Sequence, residues 1–563
     1  MQLTHAPQRF LALVAAAILA LPISAAPASA ANAPARLDDE VTQRLQTTAE
    51  TQRIPVIIEG APDRGPQASG ANRAQRAEDR VRSGGGHVIG TSSLLGASVA
   101  ELTPAEIRTL ATDPSVGRIH IDTEVTATAV GAADSSTSGA TPIVFQQTIG
   151  APDAWQTGDT GQKVTVAVLD TGIDNNNAAF GARVKARVDF IDPAHPAQGD
   201  PAGHGTHVAG IIAASRSAPS PGIAPDAGLV SVRVLDAQGR SRLSTVILGL
   251  EWVVAHKSSL GIRVVVMALG APAVGGYRED PLAAAAELAW QSGLVLVTAA
   301  GNSGPGAGTI QTPGIDPLVL TVGASDDNGT AAPSDDSIPS WSSVGPTADG
   351  LAKPDLVAPG RKIVSVRVPG STLDLQSPSH VEGPTTIRFS GTSEATAVAA
   401  GAAALLINQR PELSPDQAKA LLVSAARPLR GVSAAPQGAG LINVPRALAA
   451  RTPHVTRPHL PPADGVIRAL LPTLQREFGN DQRGDEGDNA HGDQAQSDHV
   501  LWDHVLWDHV LWDHVLWDHV LWDHVLWDHV LWDHVLWDHV LWDHVLWDHV
   551  LWDHVLWDQT VYD

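Results

Sequence analysis

The chain has 563 residues, a formal net charge of −23 and no cysteine. This length is enough for more than one domain and for a large hydrophobic core. The negative charge argues against a nucleic-acid-binding protein, which needs a basic surface to neutralise phosphates. The lack of cysteine excludes disulfides, thiol catalysis and cysteine-ligated zinc.

The first 30 residues have the pattern of a secretory signal peptide. Arg9 supplies a positive charge, an apolar run covers 10–21, and the tripeptide ASA at 28–30 fits the small-residue rule for signal cleavage. A membrane anchor is the alternative, but this apolar run has about 12 residues where roughly 20 are needed. We therefore expect a signal peptide at 1–30 and a secreted protein of bacterial origin.

Residues 31–130 have the pattern of a small α+β domain. Strand-like runs occupy 54–60 and 116–122, and 87–102 has the pattern of a hairpin. The stretch 103–114 starts with Thr and Pro and has Glu at the third helical position, which predicts a capped helix. Nothing in this domain indicates chemistry of its own.

A polar linker at 131–147 leads to a different pattern at 148–450. Here apolar runs of strand length alternate with alanine-rich helical runs. The strand-like runs show little polar alternation, as expected when both faces of a sheet are covered. They lie at 163–170, 227–235, 261–269 and 293–301. The pattern predicts an α/β domain with a central parallel sheet, and its functional site is expected at the carboxyl ends of the strands.

Four short stretches carry candidate functional residues, and each has an ordinary structural explanation. Asp170, in "VAVLDTGID", could form a turn, or belong to an aspartic protease, which needs a second such Asp in a like context. None is found. His204 and His207, in "GHGTHVAG", could be a packed pair or a zinc site that lacks a third ligand at useful spacing. Asn302, in "TAAGNSG", could be a turn residue, and Ser393, in "FSGTSEATA", could be a helix N-cap.

Taken together, the four stretches have a more specific meaning. Asp, His, Asn and Ser occur in that order, each at a strand end or helix start of one α/β domain. They supply a nucleophile, a general base, a carboxylate to orient the base and an oxyanion donor, the components of acyl transfer. In these motifs the region from 148 to 450 resembles the subtilisin-like (subtilase, S8) serine peptidases.

The resemblance implies a role for each residue. Ser393 would be the nucleophile, His204 the general base, and Asp170 the carboxylate that holds the imidazole in the required tautomer. Asn302 and the backbone N–H of Ser393 would stabilise the oxyanion. His207 would be structural, because the base of the family is the first His of H-G-T-H.

The resemblance also implies where substrate binds. The strand that pairs with extended substrate would contain Ala268, Leu269 and Gly270, with Ala where the family usually has Ser. The wall of the pocket for the residue before the scissile bond would contain Ala299, Ala300 and Gly301. These neighbours imply an uncharged pocket with broad, apolar-leaning specificity. Arg240 and Arg242 would lie at the edge of the substrate cleft or be solvated loop charges.

The resemblance gives the remaining segments an interpretation. Residues 31–130 resemble an inhibitor-type propeptide, a partner of the enzyme within its own chain, and processing is expected in 131–147. Protein or peptide substrates are expected, and no cofactor is required for the chemistry. Many relatives bind calcium through an Asn-containing loop, but the corresponding segment here, 213–225, has no Asn or Asp. A structural calcium elsewhere stays open.

The chain ends, after a Pro-rich and then acidic linker at 451–497, in twelve uninterrupted copies of DHVLW at 498–557. A five-residue period spreads Trp, Val and Leu around a helix and sends successive Trp side chains to opposite faces of a strand. We therefore expect the tail, 498–563, to be disordered or self-associating rather than a solenoid. Its repeated His also suggest metal binding or pH-controlled association. A tandem expansion with no function is the simpler alternative.

These observations predict a secreted serine endopeptidase made as a self-processing zymogen. The competing interpretation is a non-catalytic surface or adhesion protein that acts through its repeat tail. The presence of Asp170, His204, Asn302 and Ser393 in one domain argues for the enzyme.

Overall fold

The computed structural model describes residues 35–62, 69–130, 141–174, 176–197, 199–455 and 462–463. The predicted signal peptide and the repeat tail lie outside these residues, as does most of the linker at 451–497. Within the described ranges, no helix is long and apolar enough to cross a membrane.

The first unit, residues 35–121, is a five-stranded sheet with helices packed on it. Its elements are β1 (Arg36–Leu37), α1 (Asp39–Thr47), β2 (Ile54–Gly60), α2 (Gly70–Ser83), β3 (His87–Ser92), β4 (Ala97–Leu102), α3 (Pro104–Ala111) and β5 (Val116–Ile121). The strand order is β1-β5-β2-β4-β3. The apolar strand β2 is central, with antiparallel β4 and β5 on either side. The predicted hairpin is confirmed as β3 and β4, and the predicted helix cap is confirmed by reciprocal hydrogen bonds between Thr103 and Glu106.

The second unit follows two short strands, β6 (Glu124–Ala127) and β7 (Ala129–Val130). Its first half contains α4 (Phe145–Thr148), α5 (Ala151–Gln156), β8 (Thr165–Asp170), β9 (Val184–Asp189), α6 (His204–Ala213), β10 (Gly228–Arg233), β11 (Arg240–Arg242), α7 (Leu243–Leu260), β12 (Ile262–Met267) and β13 (Leu269–Pro272). Its second half contains α8 (Pro281–Gln291), β14 (Val295–Ala299), β15 (Gln311–Thr312), β16 (Leu320–Ser325), β17 (Leu356–Pro359), β18 (Ile363–Val366), α9 (Thr372–Gln376), β19 (Thr386–Gly391), α10 (Thr392–Gln409), α11 (Pro415–Ala425), α12 (Ala434–Gln437) and α13 (Val444–Ala449). Short 3-10 helices occur at Gly181–Arg183 and Pro378–His380.

The centre of the second unit is a seven-stranded parallel sheet in the order β17-β16-β14-β12-β8-β10-β9. The four apolar runs predicted as strands are β8, β10, β12 and β14, and they lie next to one another in the middle of the sheet. Every residue of β8, β10 and β14 is buried, because helices cover both faces. The predicted α/β fold with a central parallel sheet is confirmed.

The two units are joined through the extended segment 124–130. Strand β6 lies between β11 and β13 and is antiparallel to both, while β7 is antiparallel to β19. Just before this segment, the Asp122 carboxylate accepts hydrogen bonds from the backbone N–H and hydroxyl of Ser244, at 2.9 and 2.7 Å. Farther along α7, Glu251 accepts from the Ser92 hydroxyl at 2.7 Å and from the N–H of Ser93 at 3.1 Å. The first unit therefore docks on helix α7.

The start of α6 packs closely against the loop that follows β8, and this contact requires a glycine. A Cβ added at Gly205 would lie 2.2 Å from the carbonyl oxygen of Gly172 and 3.1 Å from Cβ of Asp170. The first neighbour is a backbone atom, so it cannot move aside as a flexible side chain would. The distance between α6 and β8 is therefore set by the absence of a side chain at this position.

We expect Gly205→Ala to lower the free energy of unfolding by about 1–3 kcal/mol or more, because α6 must move away from β8. The measurement is the thermal unfolding temperature of the purified protein. Gly275→Ala is the matched control, since a Cβ at Gly275 would have nothing within 4 Å. Equal unfolding temperatures for the two variants would contradict this account of the packing.

Candidate active site

The structure brings the four predicted site residues to one region, at the carboxyl ends of the central strands. Asp170 is the last residue of β8, and His204 is the first residue of α6. Asn302 follows β14 by three positions, and Ser393 lies in the first turn of α10, directly after β19. This is the edge of an open parallel sheet at which sites are expected.

Asp170 and His204 form a buried hydrogen-bonded pair. Nδ1 of His204 lies 2.7 and 2.9 Å from the two carboxylate oxygens of Asp170. The exposed fractions of the two residues are 0% and 1%. With Nδ1 donating to the carboxylate, the proton-accepting position is Nε2, which has no hydrogen-bond partner among the described residues.

Ser393 lies beside this pair, but its hydroxyl is directed elsewhere. It donates to the carbonyl oxygen of Ala268 at 3.0 Å and lies 2.8 Å from the hydroxyl of Thr128. The hydrogen bond expected between a nucleophilic Ser and its base is therefore not made in this state. The segment 124–130 occupies the cleft, and Thr128 engages the serine instead.

A backbone carbonyl from the same segment is held by the two predicted oxyanion donors. The carbonyl oxygen of Thr128 accepts from the side-chain amide of Asn302 at 2.5 Å and from the N–H of Ser393 at 3.4 Å. Asn302 is oriented for this by Thr392, whose N–H and hydroxyl donate to its Oδ1 at 3.0 and 2.9 Å. These bonds direct the NH₂ group of Asn302 towards the carbonyl of Thr128.

The predicted substrate-pairing residues lie along this segment. The N–H of Thr128 donates to the carbonyl of Ala268 at 3.1 Å. Leu269 pairs with Ala127 and Gly270 with Thr126, in antiparallel register. The three predicted pairing residues thus contact an extended chain through their backbone.

The other side of the segment contacts β11, where Arg240 pairs with Thr126 and Arg242 pairs with Glu124. The side chain of Arg242 donates to the carbonyl of Asp122 at 2.8 Å. Both arginines lie at the edge of the occupied cleft and are exposed to solvent, so the structure is compatible with both sequence interpretations.

The three residues predicted as a pocket wall are buried and directly precede Asn302. The N–H of Ala300 donates to Val322, and the N–H of Gly301 donates to the Thr392 hydroxyl at 3.2 Å. Ala299 lies at the end of β14. These bonds support the loop that carries Asn302, and the role of the three residues as a pocket wall stays a prediction.

A second buried carboxylate lies next to the candidate nucleophile. Glu394 has an exposed fraction of 0%, and its Oε1 lies 3.7 Å from Nε2 of the equally buried His207. The His207 ring packs edge-to-face on Phe389, with centroids 5.1 Å apart. Burial, together with repulsion from His204, lowers the pKa of His207 to about 3. His207 is therefore neutral near pH 7 and forms no ion pair with Glu394.

The buried charges act on the candidate base. Burial lowers the pKa of His204, but the charge and hydrogen bond of Asp170, with the charges of Glu394 and Asp200, outweigh it and raise the pKa to about 9. Burial raises the pKa of Glu394 to about 7, against the opposing effect of the His204 charge. Both carboxylate oxygens of Asp200 accept hydrogen bonds, from Thr171, Gly203 and Thr206.

Sequence reasoning missed three residues of this site. Thr128 carries no local signal, because it is one of many polar residues before a linker. Thr392 was visible only as part of the G-T-S motif. Glu394 had a usable signal, since it is the one charged residue in the otherwise small and apolar run from Ser393 to Ile407.

Comparison with known proteins identifies the family of the chain. The Subtilase family of peptidases (Peptidase_S8) matches residues 161–445. Serine protease AprX from Bacillus subtilis (strain 168) is 36% identical over 410 residues, covering 71% of this chain and 88% of that protein. An alkaline protease from Alkalihalobacillus alcalophilus is 35% identical over 348 residues, covering 62% of this chain and 78% of that protein.

Subtilisin E from Bacillus subtilis (strain 168) is 32% identical over 387 residues, covering 68% of this chain and 88% of that protein. The match therefore extends beyond short motifs, over most of the length of each of these relatives. This similarity, and the parallel-sheet fold that accompanies it, show that the chain belongs to the subtilase family and is a serine-type endopeptidase.

Proposed function

We propose that this endopeptidase hydrolyses peptide bonds with Ser393 as nucleophile, His204 as general base and Asp170 as the carboxylate that orients the base. Asn302 and the N–H of Ser393 stabilise the oxyanion. One observation carries the proposal. A backbone carbonyl, that of Thr128, is held by both oxyanion donors beside the His204–Asp170 pair.

The proposed reaction starts when the Ser393 hydroxyl leaves its present partners and donates to Nε2 of His204. Its oxygen attacks the carbonyl carbon of the substrate while His204 takes the proton. Asp170 stabilises the resulting imidazolium, and Asn302 donates to the oxygen as negative charge develops there. His204 then returns the proton to the leaving amine, and water releases the acyl group from Ser393.

Substrate is proposed to bind as an added strand between β11 and β13. Segment 124–127 already pairs with both strands in this way. Backbone pairing is independent of side chains, so it suits an enzyme that cuts many protein sequences. The absence of charged residues among Ala299, Ala300 and Gly301 supports the expected preference for uncharged side chains before the scissile bond.

We also propose that the enzyme is secreted and is made as a zymogen. Secretion is supported by the signal-peptide pattern at 1–30. Zymogen synthesis is supported by the first unit, residues 35–121, which docks on α7 and whose continuation fills the cleft. In this state no other chain can pair with β13 at the same positions, so the unit acts as an intramolecular inhibitor.

We expect Ser393→Ala to abolish labelling by a fluorophosphonate and to lower kcat/KM on casein by at least about four orders of magnitude, because the attacking oxygen is removed. The matched control is Ser303→Ala, which removes a hydroxyl from the loop that carries Asn302. The Ser303 variant should be labelled like the wild type. Labelling of the Ser393 variant at the wild-type rate would contradict the assignment.

We expect Asn302→Ala to lower kcat by about 10²–10³-fold with little change in KM, because its amide acts mainly on the charge of the transition state. Thr392→Val, which loses the hydroxyl that orients Asn302, should have a smaller effect in the same direction. Thr392→Ser keeps that hydroxyl and serves as the control. Steady-state kinetics on a chromogenic peptide measures both constants, and a change confined to KM would argue against the oxyanion role.

We expect Glu394→Gln to extend activity to lower pH. Only neutral His204 can act as the base, so kcat/KM rises with pH through the pKa of His204. Above about pH 7 the charge of Glu394 raises that pKa and delays the rise. The pH profile of kcat/KM between pH 5 and 10 should therefore shift to the acid side in the variant. Glu412→Gln, at an exposed site, is the control, and an unshifted or alkaline-shifted profile would refute the coupling.

A further inference from the structure

We infer that the peptide bond cut in maturation is Thr128–Ala129. This inference rests on the proposed function, since it assumes that the site acts on its own chain. The sequence predicted processing in 131–147, a stretch whose first ten residues lie outside the described ranges. The geometry of the occupied cleft points to a bond a few residues earlier.

The first argument is the position of the Thr128 carbonyl. Its oxygen accepts from Asn302 and from the N–H of Ser393, the two proposed oxyanion donors. The carbonyl carbon that carries this oxygen is the atom that Ser393 would attack. Since each peptide bond has one carbonyl, the donors select the bond between Thr128 and Ala129.

The second argument is the register of the strand. The N–H of Ala127 donates to Gly239 on one side of the cleft, and the N–H of Thr128 donates to Ala268 on the other. This alternation has a period of two, so a shift by one residue would turn every peptide group to the wrong side. The carbonyls of the neighbouring residues therefore cannot replace that of Thr128 without loss of the whole pairing.

The third argument is that both ends of the segment are held. Upstream, the Asp122 carboxylate is bound by Ser244, and the Asp122 carbonyl accepts from Arg242. Val125 is fully buried in the core of the second unit and acts as an apolar anchor three residues before Thr128. These contacts set the distance from the first unit to the scissile bond.

Downstream, the chain continues past the nucleophile. Ala129 pairs with Gly391 and Val130 with Ser390, in the strand that directly precedes α10. The peptide thus contacts protein on both sides of Ser393, as a substrate must before it is cut. The amine released by the cut would be that of Ala129.

The reaction balances with water as the only co-reactant. The Ser393 oxygen bonds to the Thr128 carbonyl carbon, the bond from that carbon to the Ala129 nitrogen breaks, and His204 passes the serine proton to this nitrogen. Water then hydrolyses the ester. The products are an N-terminal fragment that ends in the Thr128 carboxylate and an enzyme that begins with the Ala129 amine.

The test is to express the full chain, quench it in acid at early times, and determine by mass spectrometry the C-terminal residue of the released N-terminal fragment. The expected residue is Thr128. This readout is preferable to the N-terminus of the mature enzyme, which later trimming would change. An N-terminal fragment that ends within 131–147 would overturn the assignment of the bond while leaving the proposed function intact.

Two variants complete the test. Thr128→Asp places a carboxylate beside the attacked carbonyl in a buried site, and we expect it to slow processing at least tenfold. Thr137→Asp is the matched control within the stretch that the sequence predicted, and it should be processed at the wild-type rate. The reverse ranking of the two variants would also overturn the assignment.

Ser393→Ala separates this inference from the proposed function. The variant should remain an uncut precursor under conditions in which the wild type is processed. Processing of the Ser393 variant at the wild-type rate would refute self-cleavage by Ser393, whichever bond is cut. A wild type cut in a Ser393-dependent way at another bond would refute only the choice of Thr128–Ala129.

Discussion

The packing of two buried helices sets the geometry on which the site depends. All ten residues of α6 are buried, and so is all of α10 from Thr392 to Asn408. Such helices can approach the sheet and each other only through small side chains. A Cβ at Gly210 would lie 2.3 Å from the Ser365 hydroxyl, and one at Gly401 would lie 2.5 Å from Cβ of Ile223. Small residues in α6 and α10 therefore let each helix lie close to the elements packed on it.

The N-terminal turns of these two helices carry two of the candidate catalytic residues. His204 and Ser393 both lie in the first turn of their helices, where backbone N–H groups have no intrahelical partner. The N–H of Ser393 is thus free to bind a carbonyl oxygen in the cleft, and the helix dipole favours negative charge at that end. The same burial strengthens the electrostatic interactions between nearby charged groups. Asp170 raises the pKa of His204 in the direction that stabilises the imidazolium, and Glu394 adds to this effect from the neighbouring position on α10.

Local sequence patterns predicted much of the fold, but they did not predict which segment of the chain occupies the cleft. The runs that became β8, β10, β12 and β14 are apolar along their whole length, so their place in a covered sheet followed from composition alone. The spacing of Thr103 and Glu106 predicted the start of their helix. Thr128 had no such signal, because its role comes from hydrogen bonds with residues over a hundred positions away. Pairing across that distance is a property of the tertiary fold, which periodicity and propensity do not encode.

The pairing of segment 124–130 is unequal on the two sides of the proposed cut, and this has a consequence for activation. Upstream, β6 pairs with two strands, and the first unit adds the contacts of Asp122 and Glu251. Downstream, β7 has two residues, and within the described ranges its one strand partner is β19. Breaking one bond at Thr128 removes none of the upstream contacts, and its new carboxylate remains beside the oxyanion donors. If the proposed cut is made, we therefore expect the first unit to stay in the cleft as an inhibitor and active enzyme to appear only when that unit dissociates or is itself degraded.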